Sequence, residues 1–443
     1  MPFVWLLLSY RYRRNKPTSL LAASSSSSPG PTSQPLHYHL IREVVEALVD
    51  IFSHGYYADK VIERRFKSHP KWGSRDRRQF AETVYEITRW WRWHWYLARL
   101  PDADCLVKEC ITIPRAWLVW TAFWISKTGR QPDFDESADL SADDVAARSE
   151  KRVAPAIRAA IPDWLNDLAK EELGEAWPPL LRALNRPADV YLRTNSLKIE
   201  PKPLLINLEK EGIQAELMPD LPLALKLAKR QSIFQTTAFK AGLFEVQDAA
   251  SQSVAPMLQV QPGHRVIDAC AGAGGKALHL SCLMKNKGKI IALDVHQWKL
   301  DELRKRARRN QVDIIETRVI DDAKVLKRLH QTADRVLLDV PCSGLGVIRR
   351  NPDTKWKLSQ AELNRLRTLQ AQLLADYSRM VKPGGKLVYA TCSILPSENE
   401  LQVKAFLKDH PQWTLEEELH ARPDKKNEDG FYAARLSLAN AVG

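Results

Sequence analysis

The feature that most constrains the fold is a regular alternation of short apolar runs and helical segments after Glu245. Five runs have the length and apolar content of buried strands, at 265–268, 290–294, 314–320, 335–339 and 385–391. Helical spacing separates them, and the longest helix is expected from about residue 359 to residue 381. Strands that alternate with helices form a mostly parallel, doubly wound sheet. Residues 246–440 are therefore predicted to form an α/β domain.

A glycine-rich turn follows the first predicted strand. The segment Asp268-Ala-Cys-Ala-Gly-Ala-Gly-Gly-Lys276 joins that strand to a helix. Glycines there let the backbone approach a ligand, and the helix N-terminus offers unpaired N–H groups. Asp294 ends the next strand, 22 residues after Gly272, which suits a carboxylate that binds a pair of ribose hydroxyls.

Three other interpretations of this turn are possible. A Walker phosphate loop is excluded, because Cys270 and Ala277 stand where that motif needs Gly and Ser or Thr. A dinucleotide-binding turn is matched only loosely, since Ala277 follows Lys276. The glycines could also merely tighten a turn, and that interpretation stays open. With Asp294 in register, an adenosyl ligand is favoured.

Two cysteines follow the last two predicted strands. Cys342 lies in Leu-Asp-Val-Pro-Cys-Ser-Gly and Cys392 in Tyr-Ala-Thr-Cys-Ser. Ligands of open α/β sheets bind outside the carboxyl ends of the strands, so both cysteines, Asp339 and the glycine-rich turn are predicted to meet at one rim. A free cysteine is most often a small buried hydrophobe. Two in equivalent positions beside polar neighbours point instead to chemistry.

A thiolate at this rim suits attack on carbon 6 of a pyrimidine. Carbon 5 of cytosine is a poor nucleophile, but adding a thiolate at carbon 6 makes it enamine-like and able to take a methyl group from a sulfonium. An acid must neutralise charge on the ring, and a base must then remove the carbon 5 proton. Only a few per cent of an unperturbed thiol is ionised at neutral pH, so nearby positive charge would help.

These residues resemble the RNA cytosine-5 methyltransferases of the RsmB/Nop (Nol/Nop/Sun) family. The resemblance covers about residue 185 to the C-terminus and is strongest from 247 to 400. Its most specific marks are Asp-Val-Pro-Cys-Ser-Gly at 339–344 and Ala-Thr-Cys-Ser at 390–393. The run Gly-Val-Ile-Arg-Arg-Asn-Pro-Asp-Thr-Lys-Trp at 346–356 resembles the bacterial branch that modifies small-subunit ribosomal RNA.

The resemblance implies a Rossmann-like class I methyltransferase that uses S-adenosylmethionine and needs no metal. It implies Cys392 as the nucleophile, Cys342 as the residue that assists product release, and Asp339 as a contact of the cytosine edge. The residues implied to bind the cofactor are Cys270, Ala271, Gly272, Ala273, Gly274, Gly275, Lys276, Asp294, Asp322 and Asp339. The family usually has Pro at Ala273 and Thr at Ala277, and both departures bear on cofactor affinity.

Two assignments depend on a comparison: the third acidic residue of the cofactor site, and the cysteine that acts as nucleophile. Asp321 and Asp322 are adjacent, and Asp322 is preferred because alanine follows it. DNA cytosine-5 methyltransferases attack with the Cys of the Pro-Cys pair, here Cys342, and have no equivalent of Cys392. The presence of Cys392 therefore favours RNA.

The N-terminal half is predicted to be helical. Residues 36–150 are expected to form an all-α domain that resembles the NusB-like RNA-binding domain found ahead of this family's catalytic half, and 151–245 to form linker helices and a small α+β extension. Between 60 and 99, tryptophans alternate with basic residues, which can stack on bases and neutralise phosphates. Most of the tryptophans are expected in the core. The best phosphate candidates are Arg75, Arg77 and Arg78.

Charge and composition complete the expectations. The net charge of +13 favours a polyanionic partner such as RNA, and the six cysteines fit a reducing compartment. Residues 1–35 are predicted to be a disordered, low-complexity N-terminus; their apolar run at 3–8 is too short to cross a bilayer. A cytoplasmic monomer without membrane contact is expected, or an organellar protein if 1–35 is a presequence.

The predicted function is methylation of carbon 5 of a cytosine in RNA, with 16S ribosomal RNA as the preferred substrate. The same chemistry on transfer RNA is the first alternative. A non-catalytic ribosome-assembly factor would bind RNA through the basic surfaces and would tolerate loss of Cys392. A nicotinamide oxidoreductase ranks below both.

Overall fold

A computed structural model of the chain describes residues 37–440. The chain divides into two compact units, with the division between Pro162 and Asp163. The predicted low-complexity segment at 1–35 lies outside the described residues. No helix within residues 37–440 is both long and apolar enough to cross a membrane.

The first unit, called the helical unit below, is built on amphipathic helices, as the apolar spacing predicts. Its helices are α1 (Tyr38–Phe52), α2 (Ala58–Ser68), α3 (Ser74–Arg89), α4 (Trp91–Leu97), α5 (Ile113–Thr128), α6 (Ala142–Glu150) and α7 (Pro155–Arg158). Trp91 and Trp95 are fully buried, and the Phe52 ring stacks on Trp91 with centroids 3.8 Å apart. Aromatic packing thus forms much of the core of this unit.

One of the three predicted phosphate-binding arginines is part of this core. Arg77 is only 8% exposed, donates from Nε to the Trp72 carbonyl at 3.0 Å, and stacks on the Phe66 ring 5.2 Å away. Arg77 therefore cannot reach a phosphate, contrary to the prediction. Arg75 and Arg78, on either side of it in sequence, are exposed and remain candidates.

The helical unit extends beyond the boundary expected near residue 150. Arg92, at the start of α4, donates to the Ile161 carbonyl at 2.8 Å. Arg158 donates to the Ser149 carbonyl at 2.9 Å and lies over the Trp93 ring at 4.2 Å. These contacts hold residues 151–162 against α4, which is why the division falls at 162 instead.

The second unit begins with two helices and a four-stranded antiparallel sheet, called the extension below. Its elements are α8 (Asp163–Leu173), α9 (Trp177–Leu184), β1 (Tyr191–Thr194), α10 (Pro201–Lys210), β2 (Ala215–Leu217), β3 (Ala224–Leu227), α11 (Thr237–Lys240) and β4 (Phe244–Val246). The strand order is β2-β3-β1-β4. This confirms the small α+β fold predicted ahead of the larger sheet.

The rest of the second unit is a Rossmann-like sheet covered by helices. Its elements are α12 (Ala249–Met257), β5 (Arg265–Asp268), α13 (Gly275–Leu283), β6 (Lys289–Asp294), α14 (Gln297–Asn310), β7 (Ile315–Val319), α15 (Ala323–Lys327), β8 (Ala333–Asp339), α16 (Thr354–Lys357), α17 (Gln360–Ser378), β9 (Val381–Thr391), α18 (Glu400–Asp409), β10 (Trp413–Ala421) and β11 (Phe431–Leu438).

The order of this sheet is β10-β11-β9-β8-β5-β6-β7. The five predicted strands are present and pair in parallel, from β9 through β8, β5 and β6 to β7. Both faces are buried, since Val266 and Ile267 of β5 belong to apolar clusters on opposite sides. The unpredicted strands β10 and β11 add an antiparallel edge beside β9.

Candidate active site

The glycine-rich turn (residues 268–276) lies between β5 and α13 and is tight on one side and open on the other. Gly272 and Gly274 have φ of +54° and +81°, which L side chains rarely adopt. A Cβ on Gly274 would lie 1.9 Å from Leu303 Cδ1, so α14 packs directly against the turn. A Cβ on Gly272 or Gly275 would meet nothing within 4 Å. The open side leaves room for a ligand.

Asp294 is held at the end of β6 by backbone donors. Its carboxylate accepts from the Gly272 N–H at 3.0 Å and the His296 N–H at 2.8 Å, and Lys299 Nζ lies 3.6 Å away. The carboxylate is therefore fixed beside the glycine-rich turn, as predicted from the spacing. Its remaining lone pairs suit a pair of hydroxyl donors.

Asp268 ends β5 and was not among the predicted site residues. It is 1% exposed, and no side chain donates a hydrogen bond to either carboxylate oxygen among the residues that the structure describes, although the backbone N–H of Cys270 lies close enough to lower its pKa. Burial, and then the negative charges of Asp339 and Asp294, raise the pKa of this carboxyl to about 7, although Lys276 opposes them. A buried carboxylate without a side-chain hydrogen-bond partner fits a cationic ligand group.

The Asp268→Asn variant is expected to be more stable than the wild type above pH 7 in the absence of ligand. Between its unfolded pKa, about 3.8, and its folded pKa, about 7, Asp268 holds a proton that the unfolded chain has released. Wild-type stability therefore falls as pH rises through this window, by about 4 kcal/mol in total, and is constant above it. Urea denaturation at pH 5 and pH 8 measures this: the stability of the variant relative to the wild type should be about 3 kcal/mol greater at pH 8 than at pH 5. An equal difference at both pH values would contradict the assignment.

The two cysteines meet at the predicted rim. Cys342 Sγ and Cys392 Sγ lie 3.3 Å apart, and both thiols are free. The hydrogen bond to Cys392, burial, and the charges of Cys392 and Glu398 raise the pKa of Cys342 well above its ordinary value. Cys342 therefore remains a protonated thiol at neutral pH and can donate to the neighbouring sulfur.

Lys276 and Asp339 form an ion pair beside the cysteines. Lys276 Nζ donates to Asp339 Oδ2 at 2.6 Å and lies 5.2 Å from the centre of the Phe431 ring. Burial lowers the pKa of Lys276, but Asp339 and then Cys392 raise it, and the net shift is upward. The sequence places Lys276 in the cofactor turn. The structure adds that its ammonium group reaches the side of the rim where the cysteines lie.

Asp322 and the basic run at 349–350 have surroundings that differ from those of the site residues above, since Asp322 is exposed and the two arginines are held by internal contacts. Asp322 follows β7, its side chain is 53% exposed, and it accepts from the Lys324 N–H at 3.1 Å to cap α15. Its cofactor contact stays a prediction. Arg349 is 2% exposed, and Arg350 pairs with Asp248 at 2.7 Å, so this part of the run that resembles the bacterial branch is structural.

Residues of the extension help to hold the backbone of the glycine-rich turn in place. Arg306 of α14 donates to the Ala273 carbonyl at 2.7 Å and pairs with Glu245 of β4 at 2.9 Å. Arg193 of β1 donates to the Gly275 carbonyl at 2.7 Å. Two carbonyls of the turn therefore depend on buried residues that β1 and β4 hold in place.

Two family models match the second unit. Residues 255–437 match the family described as 16S rRNA methyltransferase RsmB/F. Residues 161–234 match the ferredoxin-like domain described for RsmF/B-like methyltransferases. The two matches follow one another along the chain and cover most of the extension and nearly all of the Rossmann-like sheet.

Similar proteins are found among curated sequences and solved structures. The chain is 35% identical over 311 residues to the probable ribosomal RNA small subunit methyltransferase B of Synechocystis sp., covering 66% of this chain and 69% of that protein. It is 36% identical over 290 residues to ribosomal RNA small subunit methyltransferase B of Pasteurella multocida, covering 62% and 64%. The crystal structure of the protein PH0851 covers 89% of this chain and 98% of its own, with a TM-score of 0.74 and 27% identity.

Proposed function

Because the chain belongs to the RsmB/F family of 16S rRNA methyltransferases, we propose that it transfers a methyl group from S-adenosylmethionine to carbon 5 of a cytosine in 16S ribosomal RNA. The observation that carries the proposal is the pair of sulfurs of Cys342 and Cys392, 3.3 Å apart beside the glycine-rich turn. Two thiols at that distance suit a reaction in which one forms a covalent bond and the other assists its reversal.

The residues of the turn fit the cofactor. Asp294 would hold the ribose hydroxyls, the open side of Gly272 and Gly275 would admit the ligand, and Asp268 would meet a positive charge of the methionine part. Bound S-adenosylmethionine supplies an electrophilic methyl group. The residues of the chain bind it, hold the cytosine and move protons.

Cys392 is the proposed nucleophile, because the two cysteines have different neighbours. The Lys276 ammonium group, whose pKa the Cys392 sulfur helps to raise, supplies positive charge for a thiolate. Cys342 is kept as a thiol by its hydrogen bond to Cys392 and by burial, which raise its pKa. The sulfur of Cys392 therefore attacks carbon 6, and carbon 5 becomes nucleophilic and takes the methyl group.

Cys342 is the proposed residue for release. Once Cys392 is bonded to carbon 6, it no longer accepts a hydrogen bond as a thiolate, and the main cause of the raised pKa of Cys342 is lost. Cys342 thus becomes more acidic, releases its own proton to solvent, and as a thiolate accepts the carbon 5 proton. Loss of that proton restores the ring and breaks the carbon–sulfur bond. Asp339, held by Lys276, would contact the cytosine edge.

The proposal is tested by following methyl groups into RNA. The full chain is incubated with methyl-labelled S-adenosylmethionine and unmodified 16S ribosomal RNA, bulk transfer RNA or cytosine-containing DNA, and the nucleosides are separated by mass spectrometry. The proposal expects 5-methylcytosine in 16S RNA alone. Label in transfer RNA instead would change the substrate, and RNA binding without transfer to any of the three would favour the assembly-factor interpretation.

A further inference from the structure

One buried carboxylate joins the two turns that carry the cysteines. Glu398 lies between β9 and α18 and is 0% exposed. It was not among the residues predicted to act in the site. Its side chain points toward the turns that follow β8 and β9.

The partners of this carboxylate are the residues that directly follow the cysteines. Oε1 accepts from the Ser343 N–H at 2.8 Å, and Oε2 accepts from the Ser343 and Ser393 hydroxyls, both at 2.5 Å. The two hydroxyl oxygens lie 3.3 Å from each other. Glu398 therefore contacts each turn one residue away from its sulfur.

Two further residues hold the carboxylate in place. The fully buried Gln370 of α17 donates from Nε2 to Glu398 Oε1 and to the Pro341 carbonyl, both at 3.0 Å. The Tyr389 hydroxyl donates to the Glu398 carbonyl at 2.7 Å. Since Tyr389 lies in β9, both the side chain and the backbone of Glu398 are anchored to the sheet edge that bears the site.

We propose that Glu398 is the positioning residue for both active-site cysteines, holding the turn after Cys342 and the turn after Cys392 at the separation that the two-sulfur reaction needs. This inference rests on the proposed function and deepens it. A carboxylate suits the task, because each oxygen accepts more than one hydrogen bond. A glutamine side chain in its place would direct its N–H₂ group toward at least one of these donors. That donor would then lose its hydrogen-bond acceptor.

Glu398 also acts on the sulfurs through its charge. Its negative charge is one of the causes that raise the pKa of Cys342, after the hydrogen bond that Cys342 donates to Cys392, burial and the charge of Cys392. Removing the charge should therefore make the Cys342 thiol more acidic. A group that only supported the fold would have no such effect on a titration.

The first test compares Glu398→Gln with Glu400→Gln, a control two residues along the same segment whose side chain is half-buried. Glu398→Gln should lower kcat about 100-fold, the effect of a misplacement near 1 Å. KM for 16S RNA and the affinity for S-adenosylmethionine should stay within about twofold of wild type. Glu400→Gln should behave as wild type. Equal kcat in both variants would overturn the inference.

The second test titrates Cys342 directly. In a Cys392→Ala background, the rate of Cys342 alkylation by iodoacetamide is followed against pH by mass spectrometry of its peptide. Adding Glu398→Gln should move the midpoint to lower pH. An unchanged or higher midpoint would contradict the electrostatic part of the inference.

A third variant covers the case in which Glu398→Gln does not fold. Ser393→Ala removes one hydrogen bond to Glu398 and leaves the charge in place, and it should lower kcat about 10-fold. Full activity of Ser393→Ala would then overturn the inference. The proposed function fails separately, if the wild-type chain forms no 5-methylcytosine in 16S RNA or if a Cys392→Ala variant still forms it.

Discussion

Cys392→Ala is expected to lose methyl transfer by about 10⁴-fold or more, and Cys342→Ala to accumulate a covalent complex of protein and RNA. Removal of the nucleophile leaves no route to an enamine-like carbon 5, and losses of this size are typical when an attacking group is deleted. Removal of Cys342 leaves the attack intact, but the carbon 5 proton stays in place and the adduct persists. Denaturing gels of each variant with S-adenosylmethionine and 16S RNA separate the two outcomes.

A cysteine outside the rim provides the control for this experiment. Cys110 is a free, half-buried thiol of the helical unit, so Cys110→Ala should methylate at the wild-type rate and leave no adduct. An adduct with Cys392→Ala, and none with Cys342→Ala, would exchange the two roles. Product formation by both variants would exclude a covalent mechanism through either sulfur.

Gly346→Ala is expected to destabilise the second unit by about 3 kcal/mol or more and to abolish activity. An added Cβ would lie 2.1 Å from the Gly430 carbonyl oxygen and 2.8 Å from that of Cys392. Neither neighbour can move freely, because Gly346 donates to the Cys392 carbonyl at 3.0 Å and accepts from the Gly430 N–H at 2.8 Å. Overpacking of backbone against backbone has costs of this order, and a midpoint shift of roughly 5 °C or more should follow for a unit of this size.

Thermal and urea unfolding of Gly346→Ala check this expectation, with Gly275→Ala as the control for stability. Gly275 begins α13, has an ordinary φ, and offers a Cβ nothing within 4 Å. Its replacement should therefore leave the stability without ligand close to that of wild type. Wild-type stability of Gly346→Ala would mean that the segments at 346 and 430 can separate.

Much of the fold of the second unit was predictable because its signals are local. A parallel strand buried on both faces reads as a short, continuous apolar run, which is why β5 to β9 were found in order. The edge strands β10 and β11 were not predicted, because three consecutive glutamates interrupt the apolar residues of β10 and small residues weaken the apolar pattern of β11. The contact between Arg92 and Ile161 in the helical unit had no local signal for a related reason, since the two residues are joined only in space.

The positions of several candidate site residues were also predictable from local signals. The topology of a doubly wound sheet brings the carboxyl ends of its strands to one edge, so Asp294 and the two cysteines could be placed at a common rim. The roles of charged residues could not be predicted in this way. Arg77, Arg349 and Arg350 have the composition of an RNA-binding surface, yet Arg77 and Arg349 are buried and Arg350 is tied to a buried aspartate.

The sequence by itself determined where the five parallel strands lie along the chain, the glycine-rich turn and the identity of the two thiols, because each is encoded within a few neighbouring residues. Only the tertiary structure decided that the sulfurs lie 3.3 Å apart, that Lys276 pairs with Asp339, and that Glu398 joins both cysteine turns. Contacts between residues far apart in the chain depend on how strands pair and helices pack. No local pattern specifies them, and they set the distances and charges on which the proposed chemistry depends.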